Sequence, residues 1–345
     1  MPASTPSAPA PETATATASD PRVGRYALFP IVHHNLWKLY KQAVASFWTV
    51  EEIDMSTDVK QWETAMTADE RYFVEQVLGF FANVDQLIMH NISASFLERA
   101  DEFGLPPEAT MFYSYQTFNE SIHAETYNVM IQALVREKAR QLELFNSVTR
   151  SESVAKIARW IGDWVMAPEI ETVQERIVGM CAVEAIMFSA AFCAIYWLKK
   201  RGLCPGLTFA NELIARDEGL HASFASELLR TIGGGDPAMI RRVVASAMET
   251  QLAFVDECLP IRLIGMNADQ MKQYCRYVAD RLLLDLGVEK MYGDANPFEW
   301  MEQISLQGKT NFFERRVGEY QKAGVMAGGK DVVITPGMFA GDADF

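Results

Sequence analysis

Glu120-Ser-Ile-His-Ala-Glu-Thr-Tyr127 is the stretch that decides the fold, and Arg216-Asp-Glu-Gly-Leu-His221 repeats its essential part. Each contains a Glu-x-x-His pair, Glu120 with His123 and Glu218 with His221. The chain has only five histidines. At its Glu content, roughly 0.4 such pairs would arise by chance at this spacing of helix-face neighbours. Residues three apart on a helix share a face, so each pair can turn an oxygen and a nitrogen toward one cation. Two such helices, joined by one carboxylate from each of two others, make the di-metal carboxylate site of a four-helix bundle.

The two further carboxylates can be found by spacing. Glu184 stands 34 residues before Glu218, in Met180-Cys-Ala-Val-Glu-Ala-Ile-Met-Phe-Ser-Ala-Ala-Phe192. Asp85 stands 35 residues before Glu120, in Leu78-Gly-Phe-Phe-Ala-Asn-Val-Asp-Gln-Leu-Ile88. The chain therefore holds two copies of one module: a lone carboxylate on an apolar helix, a turn, and a helix with Glu-x-x-His. Asp85 and Glu184 sit in runs that otherwise read as core. A buried, unpaired carboxylate costs several kcal/mol or more unless something neutralises it. Two divalent ions ringed by Asp85, Glu120, His123, Glu184, Glu218 and His221 would do so. The bland alternative is six core polar residues satisfied in other ways, and the symmetric spacing argues against it.

The rest of the chain reads as helices. Apolar residues recur at helical spacing from Pro30 to Phe47, through Leu36, Leu39, Tyr40 and Val44. Trp48 to Asp54 breaks the period, and Thr57 to Trp62 reads as a short connection. Thr67-Ala-Asp-Glu70 is a capping box opening a helix to about Ala100. Pro106-Pro107 opens the helix that carries Glu120 and His123. Shorter helices are expected over 136–148 and 151–165. The Glu184 helix should end near Arg201-Gly202, and Pro205-Gly206 should open the next. Gly233-Gly-Gly-Asp-Pro237 is a breaker, followed by helices near 238–257 and 267–286. Strand signals are scarce. The expected fold is all-α, a ferritin-like di-metal carboxylate helical bundle with additional helices.

Composition narrows the partners. A net charge of −14 lacks the basic footprint of a nucleic-acid binder. The most apolar run, 183–198, is interrupted by Glu184 and reads as a buried bundle helix, so no membrane span is expected. The five cysteines, Cys181, Cys193, Cys204, Cys258 and Cys275, are odd in number and form no Cys-x-x-Cys. They read as reduced thiols of a cytoplasmic protein. No P-loop and no glycine-rich dinucleotide fingerprint is present. Residues 1–21 are mostly Ala, Pro, Ser and Thr, without the basic and apolar regions of a secretory signal. They are expected to form a disordered arm, drawn at 1–24. The segment from about Gly324 has no helical period and ends on Asp342-Ala-Asp-Phe345.

These stretches resemble the small, radical-generating subunit of class I ribonucleotide reductase, closest to the eukaryotic and viral branch. The resemblance extends over about 25–345. It rests also on Ser46-Phe-Trp-Thr-Val-Glu-Glu-Ile-Asp54, Asn311-Phe-Phe-Glu-Arg-Arg-Val-Gly-Glu-Tyr320 and the terminal Asp342-Ala-Asp-Phe345. It implies the same six ligands, two iron ions as cofactor with manganese as the alternative, and Tyr127 as the residue oxidised to a radical. Tyr127 lies four residues after His123, one turn along the same face. Phe188, Phe192 and Ile214 are expected to form the dry pocket around that radical. The family further implies a path through Trp48 and Asp217 to His123, and onward through Tyr320. It implies a homodimer and a large catalytic subunit, which would hold the nucleotide and be docked by a tail drawn at 323–345. The helical domain is drawn at 25–322. Met187 stands where near relatives often carry an aromatic residue, and Ala340 and Gly341 fall where the tail is usually bulkier or more polar. Two other readings use the same cage. A di-iron oxygenase, desaturase or ligand-binding oxidase would act on a substrate held within this chain. A ferritin-like storage protein would use the cage as a ferroxidase centre, but it would need neither Trp48, nor Tyr320, nor the acidic tail.

Overall fold

The computed structural model describes residues 28–167, 172–258 and 266–301, with the Cys258 side chain left out. Among these residues there is no strand. The chain divides into two units, 1–297 and 298–345. The second is described only over 298–301. The first holds every expected metal ligand.

Four long helical stretches carry those ligands. They are α3 (Ala68–Asn91), α4 (Pro107–Leu134), the pair α8 (Val173–Ala182) and α9 (Ser189–Lys200), and α10 (Pro205–Thr231). Around them lie α1 (His34–Ala45), α2 (Ser56–Thr64), α5 (Lys138–Phe145), α6 (Ser147–Arg150), α7 (Glu152–Ile161), α11 (Pro237–Cys258) and α12 (Ala268–Asp285). α3 packs along α4, α10 packs on α8 and α9 and meets α4, and α1 lies across both α4 and α10.

Local chemistry fixes where these helices begin. Thr67 and Glu70 close the expected capping box at α3: Glu70 N donates to Thr67 Oγ1 at 3.2 Å, and Thr67 N to Glu70 Oε2 at 2.8 Å. Pro107 takes the first position of α4, where a missing N–H costs nothing. α10 starts at Pro205 after Cys204, whose φ of 51° is left-handed. Its free N–H groups donate to Asp58, a fully buried carboxylate on α2, at 2.9 Å from Gly206 and 2.7 Å from Leu207. A Cβ on residue 206 would lie 2.3 Å from the Asp54 carbonyl oxygen, so only glycine allows this approach.

Several boundaries differ from the sequence expectation. Ser56–Thr64 is a helix rather than a connection. Its residues are largely polar, and it is held by two buried anchors, Asp58 and Trp62. The expected helix over 136–148 is two, divided at Asn146. Three helices continue into wider π turns, at Ile92–Leu97, Gly162–Met166 and Val183–Met187. The run Val173–Lys200 is long and apolar enough to cross a membrane by length and composition, yet 94% of its most apolar window is buried inside the protein. It is a core helix, as expected for the Glu184 segment.

Candidate metal centre

All six expected ligands are buried, none more than 4% exposed. α3 supplies Asp85, α4 supplies Glu120 and His123, and α10 supplies Glu218 and His221. Glu184 lies in the π turn between α8 and α9. Such turns occur frequently at functional sites. One ligand atom from each of Glu120, Glu184, Glu218 and His221 lies within 4.8 Å of every other.

The two imidazoles are arranged alike. His123 Nδ1 is 3.2 Å from Glu120 Oε2 and 2.9 Å from Glu218 Oε1. His221 Nδ1 is 2.8 Å from Glu218 Oε2 and 3.1 Å from Glu120 Oε1. Glu120 and Glu218 thus each reach both histidines. Both Nδ1 atoms face the cage, and both Nε2 atoms face away from it. His123 Nε2 is 3.2 Å from Asp217 Oδ2, and His221 Nε2 is 3.2 Å from Asn119 Oδ1.

The electrostatics are those of an acid-rich cage. Burial, then the charge of Glu120, pushes the Asp85 carboxyl well above the usual range. Burial, then Glu218 and Glu120, does the same to Glu184. Burial opposes charge on His221, but the carboxylates of Glu218 and Glu120 outweigh it and raise the group to about 9. At His123 burial is likewise outweighed, by Asp217, Glu120 and Glu218. Burial also opposes ionisation of Glu218, yet His221 and His123 hold it well below the usual carboxylate range.

The orphaned atoms test whether a metal pair fits. Both oxygens of Asp85 and Oε2 of Glu184 are buried without a hydrogen-bond partner among the described residues. Such atoms cost about 1–3 kcal/mol each, and more when charged. Two divalent cations carry four positive charges, equal to four carboxylates beside neutral imidazoles, and would take up those lone pairs. Oxygen ligands with imidazole suit iron or manganese. The residues fit the group.

Tyr127 stands on α4, 1% exposed, and its hydroxyl has no hydrogen-bond partner among the described residues. Burial, then the charge of Asp85, raises the phenol well above its usual range. Its ring stacks on Phe81, with centroids 4.4 Å apart and planes 3° apart. Phe188 and Phe192 pack against Phe81 at 5.3 and 5.0 Å. Ile214 is buried on α10, and Met187 is buried in the π turn. Phe188 and Phe192 surround Phe81, and Phe81, which sequence reasoning missed, is the ring in direct contact with Tyr127.

On the other side of the cage, Trp48 is buried and its Nε1 donates to Asp217 Oδ2 at 2.7 Å. Its ring stacks near His123, with centroids 6.1 Å apart and planes 21° apart. Arg216 donates to Asp217 Oδ1 from Nε at 3.1 Å and from a terminal nitrogen at 2.9 Å, and the same terminal nitrogen donates to the Ser46 carbonyl at 2.7 Å. Burial would raise the Asp217 carboxyl, but Arg216 and His123 hold it below the usual range. Gln116, one turn before Glu120, donates to Glu184 Oε1 at 2.9 Å and to Glu120 Oε1 at 3.2 Å. Gln116, Asn119 and Arg216 were also missed, because each makes a contact far away in sequence: Gln116 with Glu184, Asn119 with Asp217 and His221, and Arg216 with the Ser46 carbonyl. Tyr320 and the C-terminal tail lie outside the described residues. Four cysteines, Cys181, Cys193, Cys204 and Cys275, are free and buried.

Four buried carboxylates and two imidazoles on four helical stretches define the ferritin-like di-metal carboxylate class. The profile of the family described as "Ribonucleotide reductase, small chain" matches residues 25–297, and the protein belongs to that family. It is 47% identical over 306 residues to the ribonucleoside-diphosphate reductase small chain of Nicotiana tabacum, an alignment spanning 88% of its own length and 90% of the relative's. It is 44% identical over 339 residues to ribonucleoside-diphosphate reductase subunit M2 of Homo sapiens, spanning 98% and 84% of the two lengths. Among solved structures, the ribonucleotide reductase Rnr4 homodimer from Saccharomyces cerevisiae superposes with a TM-score of 0.72 at 29% identity, spanning 86% and 90%.

Proposed function

We propose that this chain is the radical-generating small subunit of a ribonucleoside-diphosphate reductase. It would bind two iron ions at Asp85, Glu120, His123, Glu184, Glu218 and His221, with manganese as the alternative. When bound, the metal pair supplies the oxygen-dependent, one-electron oxidation of Tyr127. The observation that carries this reading is the pairing of a buried six-residue cage with Tyr127 one turn beyond His123, in a pocket closed by Phe81.

The protein's own residues do the rest. Glu120 and Glu218, each within reach of both histidines, would hold the metal pair together with the two Nδ1 atoms. Gln116 holds Glu184 and Glu120 in place. Oxidised tyrosine must shed its phenolic proton, and Asp85 is the charged group that most raises that phenol. Phe81, Phe188 and Phe192 keep water and reductants away. Trp48 and Asp217 offer a conducting contact from His123 toward the outside of the bundle. Tyr320 would take the oxidising equivalent onward.

Substrate reduction belongs to a large catalytic subunit. No glycine-rich nucleotide fingerprint occurs in this sequence, and the four described cysteines are buried, with burial raising each thiol. We draw the helical domain at 25–322 and the docking tail at 323–345, with Phe345 buried on the partner and Asp342 and Asp344 meeting basic groups. A homodimer in the cytoplasm is the working state, in line with the homodimeric yeast relative and the free thiols. Removing the last seven residues should leave metal content and the radical intact and abolish ribonucleotide reduction with the large subunit. Full turnover by the truncated protein would refute the docking role.

A further inference from the structure

Asn119 sits on α4 immediately before Glu120 and is 3% exposed. Its amide faces two different elements of the centre. Nδ2 donates to Asp217 Oδ2 at 3.3 Å, and Oδ1 lies 3.2 Å from His221 Nε2. The same Asp217 oxygen accepts from Trp48 Nε1 at 2.7 Å and lies 3.2 Å from His123 Nε2. One hydrogen-bonded network therefore runs from Trp48 through Asp217 to His123 on one branch, and through Asn119 to His221 on the other.

The orientation of that amide follows from its partners. Asp217 already accepts from Trp48 and Arg216, so the end of Asn119 that faces it must be the donor NH₂. Oδ1 is then left facing His221 and can only accept. His221 must therefore carry a hydrogen on Nε2 whenever a cation takes Nδ1. Groups that hold the outer nitrogen of a ligating histidine fix its tautomer and ring orientation, and losing them typically costs about 10–100-fold in metal affinity. The two branches are unequal: His123 is backed by a carboxylate, whereas His221 is backed by a neutral amide, which raises ligand basicity less.

We propose that Asn119 is a positioning residue that presents His221 Nδ1 to the metal pair and ties that half of the cage to the Trp48–Asp217–His123 network. This role rests on the di-metal reading above. It makes the two metal positions inequivalent, with the His221 position the weaker.

The test is calorimetric titration of the full-length, metal-free protein with manganese(II), with bound manganese followed by paramagnetic resonance. The wild type should take up two ions in unequal steps. Asn119→Leu should weaken one step by about tenfold or more and leave the other nearly unchanged. In a His221→Ala background the same substitution should cost nothing further, because the coupling passes through His221. Asn119→Gln keeps an amide with both an acceptor and a donor, so it should retain more of the affinity that Asn119→Leu loses. It also provides a second measurement if the leucine variant fails to fold. Wild-type affinities in Asn119→Leu, an equal loss at both steps, or an undiminished loss in the His221→Ala background would each overturn the proposal. So would a loss in Asn119→Gln as large as in Asn119→Leu. A wild-type protein that binds no ion would overturn the metal reading itself, a result distinct from any of these.

Discussion

Replacing Phe81 with Ala separates packing from protection. The Phe81 side chain is fully buried, stacked on Tyr127 at 4.4 Å and in contact with Phe80, Phe188 and Phe192 at 5.0 to 5.3 Å. Deleting such a ring costs about 3–5 kcal/mol. Against a total stability of about 5–15 kcal/mol the variant should still fold. At about 2 °C per kcal/mol for a chain of this size, its Tm should fall by about 6–10 °C. Phe81 is not a ligand, so metal content should match the wild type. The substitution would remove the ring that covers the face of Tyr127 and open the radical to small reductants. Radical decay should then quicken by about tenfold or more, the effect of about 1.4 kcal/mol on its barrier. Thermal unfolding measures the first effect, and the decay of the tyrosyl resonance signal at fixed temperature measures the second. A Tm that falls as stated with an unchanged radical lifetime would mean that Phe81 packs the core but does not shield Tyr127.

Three further outcomes follow from the same geometry. Glu184→Ala and Glu218→Ala should each lower bound metal sharply, by elemental analysis, since each removes a ligand from a cage whose four carboxylates balance two divalent ions; wild-type content in both would contradict the cage. Gly206→Ala should destabilise the fold by about 3 kcal/mol, because its Cβ would meet the Asp54 carbonyl at 2.3 Å. An unchanged urea midpoint would refute that. Trp48→Phe removes the indole N–H that bonds Asp217 at 2.7 Å. It should preserve metal and radical while cutting ribonucleotide reduction with the large subunit by about tenfold or more, the effect of about 1.4 kcal/mol, and normal turnover would exclude Trp48 from the path.

What the sequence revealed of this centre depended on how each residue's partners are spaced. The candidate ligands were legible because Glu-x-x-His is a local pattern and the two modules repeat at nearly equal spacing. Asn119, Gln116 and Phe81 were not. Asn119 meets Asp217 across 98 positions and Gln116 meets Glu184 across 68, and no periodicity encodes such pairings. Phe81 read as core, which it is, but its face-to-face contact with Tyr127 depends on how α3 and α4 pack. The π turn at Val183–Met187 was equally silent, since an extra residue in an apolar run leaves no compositional mark. α2 was misread because a nine-residue polar helix relies on tertiary anchors, here Asp58 beneath the start of α10 and the buried Trp62.

The most direct test of the central claim is one paired spectrum. The metal-free protein and its Tyr127→Phe variant are each given ferrous iron and oxygen, then examined by electron paramagnetic resonance with metal analysis of the same samples. The account predicts about two irons per protomer in both proteins, a sharp tyrosyl signal in the wild type and none in the variant. An equal radical signal in Tyr127→Phe, or a metal-loaded wild type without any, would contradict it.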